Sequence, residues 1–171
     1  MNSFIELAES RYSVRKYSDK PVEEEKLELI LRAGQVAPTA CNYQPQRIMV
    51  LRSAEALEKV RSLTPYAFNA PLVLLICANM EESWVGVDGH YSAPIDAAIV
   101  ITHMMLEAWE LGIGSCWVRG FDKNRIAEAF DLTDDLEPIA FLPLGYPAEN
   151  SHPARGWHDK RKALEETVSY L

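Results

Sequence analysis

The sequence predicts one domain in which helices and strands alternate around a covered sheet, and three observations carry that expectation. The chain has 171 residues, a one-domain length that buries roughly 70% of its unfolded surface without staples. The run Leu72-Val-Leu-Leu-Ile-Cys-Ala78 is apolar on both faces, as a strand in the middle of a covered sheet must be. Residues 94–111 carry apolar side chains around nearly the whole circumference of a helix, so that helix must be buried on nearly all sides.

Taken in order, residues 3–9 read as a short helix. Asp19-Lys20-Pro21 then breaks the chain, and Glu23-Glu24-Glu25 supplies the acidic start of a helix over 23–35, with Leu27, Ile30, Leu31 and Gly34 at helical spacing. A polar loop, 37–45, leads into a strand at 47–51. Ser53 caps a helix at 54–62. The apolar strand 72–78 follows. Pro94 then opens the long helix, which runs to Leu111 and stops at Gly112. Residues 113–118 read as a strand, 122–130 as a helix and 139–144 as a strand ending at Gly145-Tyr-Pro147. From 148 the chain is polar until Leu164, Val168, Tyr170 and Leu171, the pattern of an arm that docks on something. No repeat or linker divides 1–171, so one domain is expected. The economical explanation of the all-round apolar helix is that it also packs against a second subunit; a helix wrapped by its own chain is the alternative.

With 17 Lys and Arg against 25 Asp and Glu, the net charge is −8, which argues against a general nucleic-acid or anionic-membrane binder. Three cysteines without a CxxC pair argue against a disulfide framework and point to a reducing compartment. The start MNSFIELAES lacks the basic residues and apolar run of a signal peptide. The apolar stretch Ile95 to Leu111 contains Asp96, His103, Glu107 and Glu110 and is shorter than a bilayer needs. A soluble, cytoplasmic protein is expected.

Four segments carry candidate chemistry. In Arg11-Tyr12-Ser13-Val-Arg15, an extended chain puts Arg11, Ser13 and Arg15 on one face, where two guanidiniums flanking a hydroxyl suit a phosphate. The loop Ala37-Pro38-Thr39-Ala40-Cys-Asn42-Tyr-Gln44-Pro45 is stiffened by proline at both ends and offers amides that donate and accept, as a flat heterocycle requires. In Leu111-Gly-Ile-Gly114-Ser115-Cys-Trp-Val-Arg119-Gly120, glycines admit close approach of backbone to a ligand, although no dinucleotide fingerprint is present. The fourth is His158-Asp-Lys160-Arg161-Lys162, a cationic cluster in an acidic chain. Each one alone reads more plainly as a solvated turn, a capped loop or a solvated run.

Their order is more specific than their content. R-x-S-x-R near the start, A-P-[ST]-x-x-N-x-Q-P near residue 40, L-G-x-G-[ST]-C-W after an apolar helix, L-G-Y-P and a late basic cluster together resemble the FMN-dependent nitroreductase family, from about residue 4 to 168. The resemblance implies an α+β fold with a mostly antiparallel central sheet flanked by helices, a long buried central helix and a C-terminal arm exchanged in an intimate homodimer. It implies FMN at the dimer interface, NADH or NADPH as electron donor, and nitroaromatics, quinones or related small molecules as acceptors in alternating, ping-pong half-reactions. Specialised flavoenzymes of the same fold (a dehalogenase, an enone reductase, a flavin-cleaving enzyme) and a non-catalytic FMN carrier or sensor remain open, because specificity lies in loops such as 64–70 and 81–92 that no motif covers.

By the same resemblance, Arg11 and Ser13 match positions that hold the FMN phosphate, Tyr12 one that acts largely through backbone, and Arg15 one beside the pyrimidine side of the flavin. Pro38, Thr39 and Ala40 match a loop that often carries two serines; Asn42 and Gln44 match residues addressing the ring and ribityl chain. Gly114, Ser115, Arg119 and Gly120 match segments passing the ring, with a backbone N–H at 119 or 120 toward N5 or O4. Lys160, Arg161 and Lys162 match a second phosphate contact in uncertain register, with Arg155 as the substitute. Gln46 replaces a frequent Trp, so a more polar wall is expected. A cation near N1–O2 would favour the reduced flavin, and no protein nucleophile is expected because the cofactor carries the chemistry. The cysteines and histidines lack metal-site spacing, and no metal is expected. His103 reads as an interior histidine, and 81–91 equally as a lid or a plain surface loop.

Overall fold

The computed structural model describes residues 3–171, apart from the side chain of Arg155. Four strands, β1 (Gln46–Leu51), β2 (Leu72–Asn79), β3 (Gly114–Ser115) and β4 (Leu136–Gly145), form one antiparallel sheet in the order β1-β2-β4-β3. Helices cover both faces, which is why β2 reads as an unbroken apolar run. Leu72, Leu74, Ile76 and Ala78 pack with Leu27 and Ile30 of α2 (Glu24–Gln35) and with Val100 and Met104 of α4 (Ala93–Glu110). Val73, Leu75 and Cys77 pack on the other side with Leu57 and Val60 of α3 (Ala54–Leu63) and Ile126 of α5 (Lys123–Ala129). Period-two alternation thus divides one strand between two cores.

Strand β4 begins earlier than the expected 139, because the ladder shifts at Ile76/Cys77 and continues through Pro138 to Leu136. The strand expected over 113–118 shrinks to Gly114–Ser115, with Val118 rejoining Phe141 as a lone bridge. The interruption has a simple cause. The Cys116 N–H reaches the Pro143 carbonyl at 3.3 Å, but a proline has no N–H to return.

Helix α1 (Phe4–Ser10) starts at a reciprocal cap between Ser3 and Glu6. The chain leaves it in extended form: Ser13 bridges Ser115, and the Val14 N–H donates to the Ser115 carbonyl at 2.9 Å. Gly114 permits this, since a Cβ there would stand 2.5 Å from a Val14 methyl. Helix α4 is tied at its C-terminal end by Lys26, whose ammonium donates to the Leu111 carbonyl at 2.7 Å and to the Tyr146 hydroxyl at 2.9 Å.

Within one chain α4 buries one side only. Ala97, Val100, Ile101, Met104 and Ala108 face the core, whereas Ile95 is 65% exposed and Ile99 and Leu106 are half-buried. His103 is also half-buried, its Nδ1 2.9 Å from the Ile99 carbonyl. The tail is polar turns after 148, and its apolar end finds no partner surface here: Leu164 is 63% and Tyr170 90% exposed. Among the described residues no helix is long and apolar enough to cross a membrane, and no group of three potential ligands could hold a metal.

Candidate functional site

Where the chain leaves α1, the extended backbone along β3 buries Val14 and turns its neighbours to a cleft. Arg11, Tyr12, Ser13 and Arg15 form one wall of a cavity of about 120 Å³, and Pro153, Ala154, Trp157, His158 and Arg161 form the other. The first part of the tail is held there by Tyr12, whose ring meets Trp109 and His158 edge-on at 5.2 and 6.4 Å and whose hydroxyl donates to Ser151 Oγ at 3.3 Å. The short turn Ala154–Gly156 then brings Arg161 inward, its Nη1 donating to the Trp157 carbonyl at 3.1 Å.

Among the described residues no carboxylate lines this cleft. Arg11 Nη1 is buried with no hydrogen-bond partner among the described residues. Burial lowers the Arg11 pKa from its usual value, and the positive charge of Arg161 lowers it further. Two guanidiniums lining one cleft, one with an orphaned donor, make a donor set suited to an anion.

A larger cavity, about 410 Å³, shares Arg15, Ala154 and Trp157 with the first and runs along Cys116, Trp117, Val118, Arg119 and Gly120, closed by Tyr66 and Phe68. The Arg15 guanidinium lies over the Phe68 ring at 5.9 Å from its centre. Thr64 donates its hydroxyl to the Gly120 carbonyl at 2.8 Å. Burial pushes the Cys116 thiol above its usual pKa, with Arg15 and the Ser13 hydroxyl pulling the other way. A third cavity, about 340 Å³, joins Arg11, Ser13 and Trp117 to the outward side of α4 at Thr102, Met105 and Leu106.

The four sequence segments are therefore not all assembled in one chain. Arg11, Tyr12, Ser13, Arg15 and Arg161 line one cleft, and Arg119 and Gly120 line the adjoining one that shares Arg15. Lys160 and Lys162 are exposed and line none of these cavities. Gly114 and Ser115 lie buried in the sheet and meet the clefts only through the chain that follows them. The Arg155 side chain lies outside the described residues. Pro38, Thr39, Ala40, Asn42 and Gln44 sit elsewhere, at the N-terminal end of α4, where the Ala40 N–H donates to Asp96 at 2.9 Å. Residues 81–92 are gathered at the same end, with the Ala93 N–H on Ser83 Oγ at 2.9 Å, and they line none of the three cavities. Gln46 does not line them either; its side-chain oxygen is buried without a hydrogen-bond partner among the described residues.

Sequence reasoning missed Tyr66, Phe68, Trp117 and Trp157 as lining residues. The aromatic content of 64–70 is visible in the sequence, but its apposition to 116–120 depends on β4 lying between their strands.

Comparison with known proteins places the chain in a family. Residues 8–67 and 61–146 match the model of the nitroreductase family. The crystal structure of a nitroreductase family protein from Clostridium difficile 630 is 42% identical, covers 99% of this chain and 98% of its own, and superimposes with a TM-score of 0.92. An FMN-dependent nitroreductase from Clostridium difficile R20291 is 29% identical over 97% of this chain and 98% of its own, with a TM-score of 0.79. The Bacillus subtilis protein named FMN reductase [NAD(P)H] is 28% identical, the match covering 100% of this chain and 76% of the relative. Motif order, sheet topology and full-length similarity lead to one conclusion: the chain belongs to the nitroreductase family.

Proposed function

We propose that this protein is an FMN-dependent oxidoreductase that uses NADH or NADPH to reduce nitroaromatic, quinone or related acceptors, working as a cytoplasmic homodimer. The observation that carries the reading is the cleft between Arg11 and Arg161, with its orphaned buried donor and no acidic residue. A phosphomonoester, with nearly two negative charges and three acceptor oxygens, fits that donor set. The names of the Bacillus subtilis and Clostridium difficile R20291 relatives support FMN, and the Bacillus subtilis name also supports NADH or NADPH as donor.

In this reading Arg11, Ser13 and Arg161 hold the phosphate, with Tyr12 supporting the strand that carries them. Arg15, shared by the first cleft and the largest of the three, lies toward the pyrimidine side, and the Arg119–Gly120 backbone faces the ring. Bound there, FMN would supply the redox chemistry that links nicotinamide to acceptor in two separate, ping-pong half-reactions. The residues orient and desolvate; Tyr66, Phe68, Trp117 and Trp157 give the larger cavity flat apolar walls suited to planar molecules.

The uncovered side of α4 supports the dimer reading. Asp96 and Leu106 are ten residues apart, about 15 Å along the helix axis. Antiparallel packing of two α4 helices through their uncovered sides would bring one subunit's loop with Pro38, Thr39, Ala40, Asn42 and Gln44 to the other's Thr102–Leu106 cleft. Three free cysteines, Cys41, Cys77 and Cys116, suit a reducing compartment. The test is direct: the purified protein is yellow, and anaerobic NADH or NADPH bleaches it, after which a panel of nitro, quinone and enone acceptors restores the colour. A colourless protein that takes up no FMN refutes the proposal.

A further inference from the structure

We propose that Asp96 is a positioning residue for the cofactor site: its buried carboxylate holds the 38–44 loop in a conformation the loop would not keep unaided, and so presets Asn42 and Gln44. The inference rests on the reading that this loop contacts FMN.

The loop is strained. Cys41, Asn42 and Gln44 have φ of 50°, 56° and 52°, a left-handed region that L residues other than glycine occupy at a cost. Four bonds set the turn's internal shape: Asn42 N–H to the Thr39 carbonyl at 3.0 Å, Tyr43 N–H to the Ala40 carbonyl at 3.1 Å, Gln44 N–H to Thr39 Oγ1 at 3.1 Å, and the Gln44 side-chain Nε2 to the Asn42 carbonyl at 3.2 Å. None of them fixes where the turn sits on the molecule. Asp96 does. It is 2% exposed in the first turn of α4, one oxygen accepting the Ala40 N–H at 2.9 Å and the other the Ser92 hydroxyl at 2.8 Å.

Asp96 forms no ion pair among the described residues. Its burial is compensated by those two donors and by the N-terminal end of the helix dipole. A buried carboxyl with no ion-pair partner among the described residues, bonded to a backbone N–H of a strained loop, is what preorganisation of a ligand-bearing turn requires. An Asn at 96 retains one acceptor for Ala40 and can donate to Ser92 Oγ, whereas Ala retains neither.

The test uses the full-length protein, stripped of flavin and titrated with FMN, alongside hydrogen exchange of the 38–44 segment. Asp96→Ala raises the FMN dissociation constant about tenfold or more, as for loss of a charge-assisted bond, and speeds exchange across 38–44. Asp96→Asn restores affinity to within about threefold. The effects of Asp96→Ala and Asn42→Ala are less than multiplicative when combined, because one acts through the other. If Asp96→Ala does not assemble, Ala40→Pro replaces it. That change deletes the donated N–H and sets a ring carbon against the Asp96 oxygen, so it breaks the tether from the loop's side, at the first position of a 3-10 turn and after an already extended Thr39 (φ −133°, ψ 159°). Wild-type FMN affinity or unchanged exchange in Asp96→Ala, or in Ala40→Pro in its place, overturns the inference. Wild-type affinity in both Asn42→Ala and Gln44→Ala instead overturns the reading of the loop on which it rests.

Discussion

Arg11 combines a half-buried guanidinium, a buried nitrogen with no acceptor and a neighbouring Arg161. Such a residue destabilises an empty cleft and favours one holding an anion, since the desolvation already incurred is then compensated. Arg11→Ala should therefore weaken FMN binding by about 1.5–3 kcal/mol, the range for a hydrogen bond to a charged group; titration of the flavin-free protein checks this, and unchanged affinity removes Arg11 from the site. Within the basic triplet, the sequence could not single out Arg161. All three residues sit on an exposed stretch, and the choice depends on the turn at 154–156 and the Trp157 carbonyl that receives the Arg161 guanidinium. The thiols divide by environment. Burial pushes Cys77 up to about 12, leaving it a protonated core residue, whereas Cys41 is exposed on the strained loop.

At the scale of elements, the end of β4 is joined to α2 by a polar relay. Tyr146 donates to Glu23 at 2.7 Å, Lys26 donates to Tyr146 and to the Leu111 carbonyl that caps α4, and the Lys20 ammonium lies 3.8 Å from the centre of the Tyr146 ring. The Tyr146 hydroxyl, with a backbone bond and Lys20 adding to it, brings the Glu23 carboxyl down from the usual 4.5 to about 2. A folded-state pKa below the unfolded one means stability that is fully present above the ordinary carboxylate range and lost as pH falls through the folded value. Glu23→Gln should thus lower the melting temperature at neutral pH, and the gap to wild type should narrow between about pH 5 and pH 2. Thermal unfolding across that range checks it; a constant gap would show that the relay is not charged. Elements with strong local patterns, β2 and α2 above all, were legible because their partners impose a period on the sequence. The 113–118 strand was not, because what interrupts it is Pro143, a proline on another strand.

For the whole molecule, the net charge of −8 makes the two basic islands near residues 11–16 and 160–162 stand out, and the fold brings Arg11 and Arg161 from opposite ends of the chain to one cleft. The same fold leaves the outer side of α4 and the apolar tail uncovered, surfaces of the kind that a second subunit buries. Truncation after Asp159 removes Arg161 together with Leu164, Val168, Tyr170 and Leu171. The truncated protein should lose FMN and shift toward monomer, measured by sedimentation and by flavin absorbance; a truncated chain that stays dimeric and yellow would refute the arm.

By itself the sequence determined the kinds and order of elements, the doubly covered strand, the cationic islands and the motif series of the family. These properties depend on near neighbours along the chain, where side-chain period, caps and prolines act directly. Only the tertiary structure decided which cations meet, why β3 is short, and that the 38–44 loop stands at the far end of α4 from Arg11. Those outcomes depend on contacts between residues remote in sequence, whose geometry is set by packing across the sheet and around α4, and no local pattern encodes it.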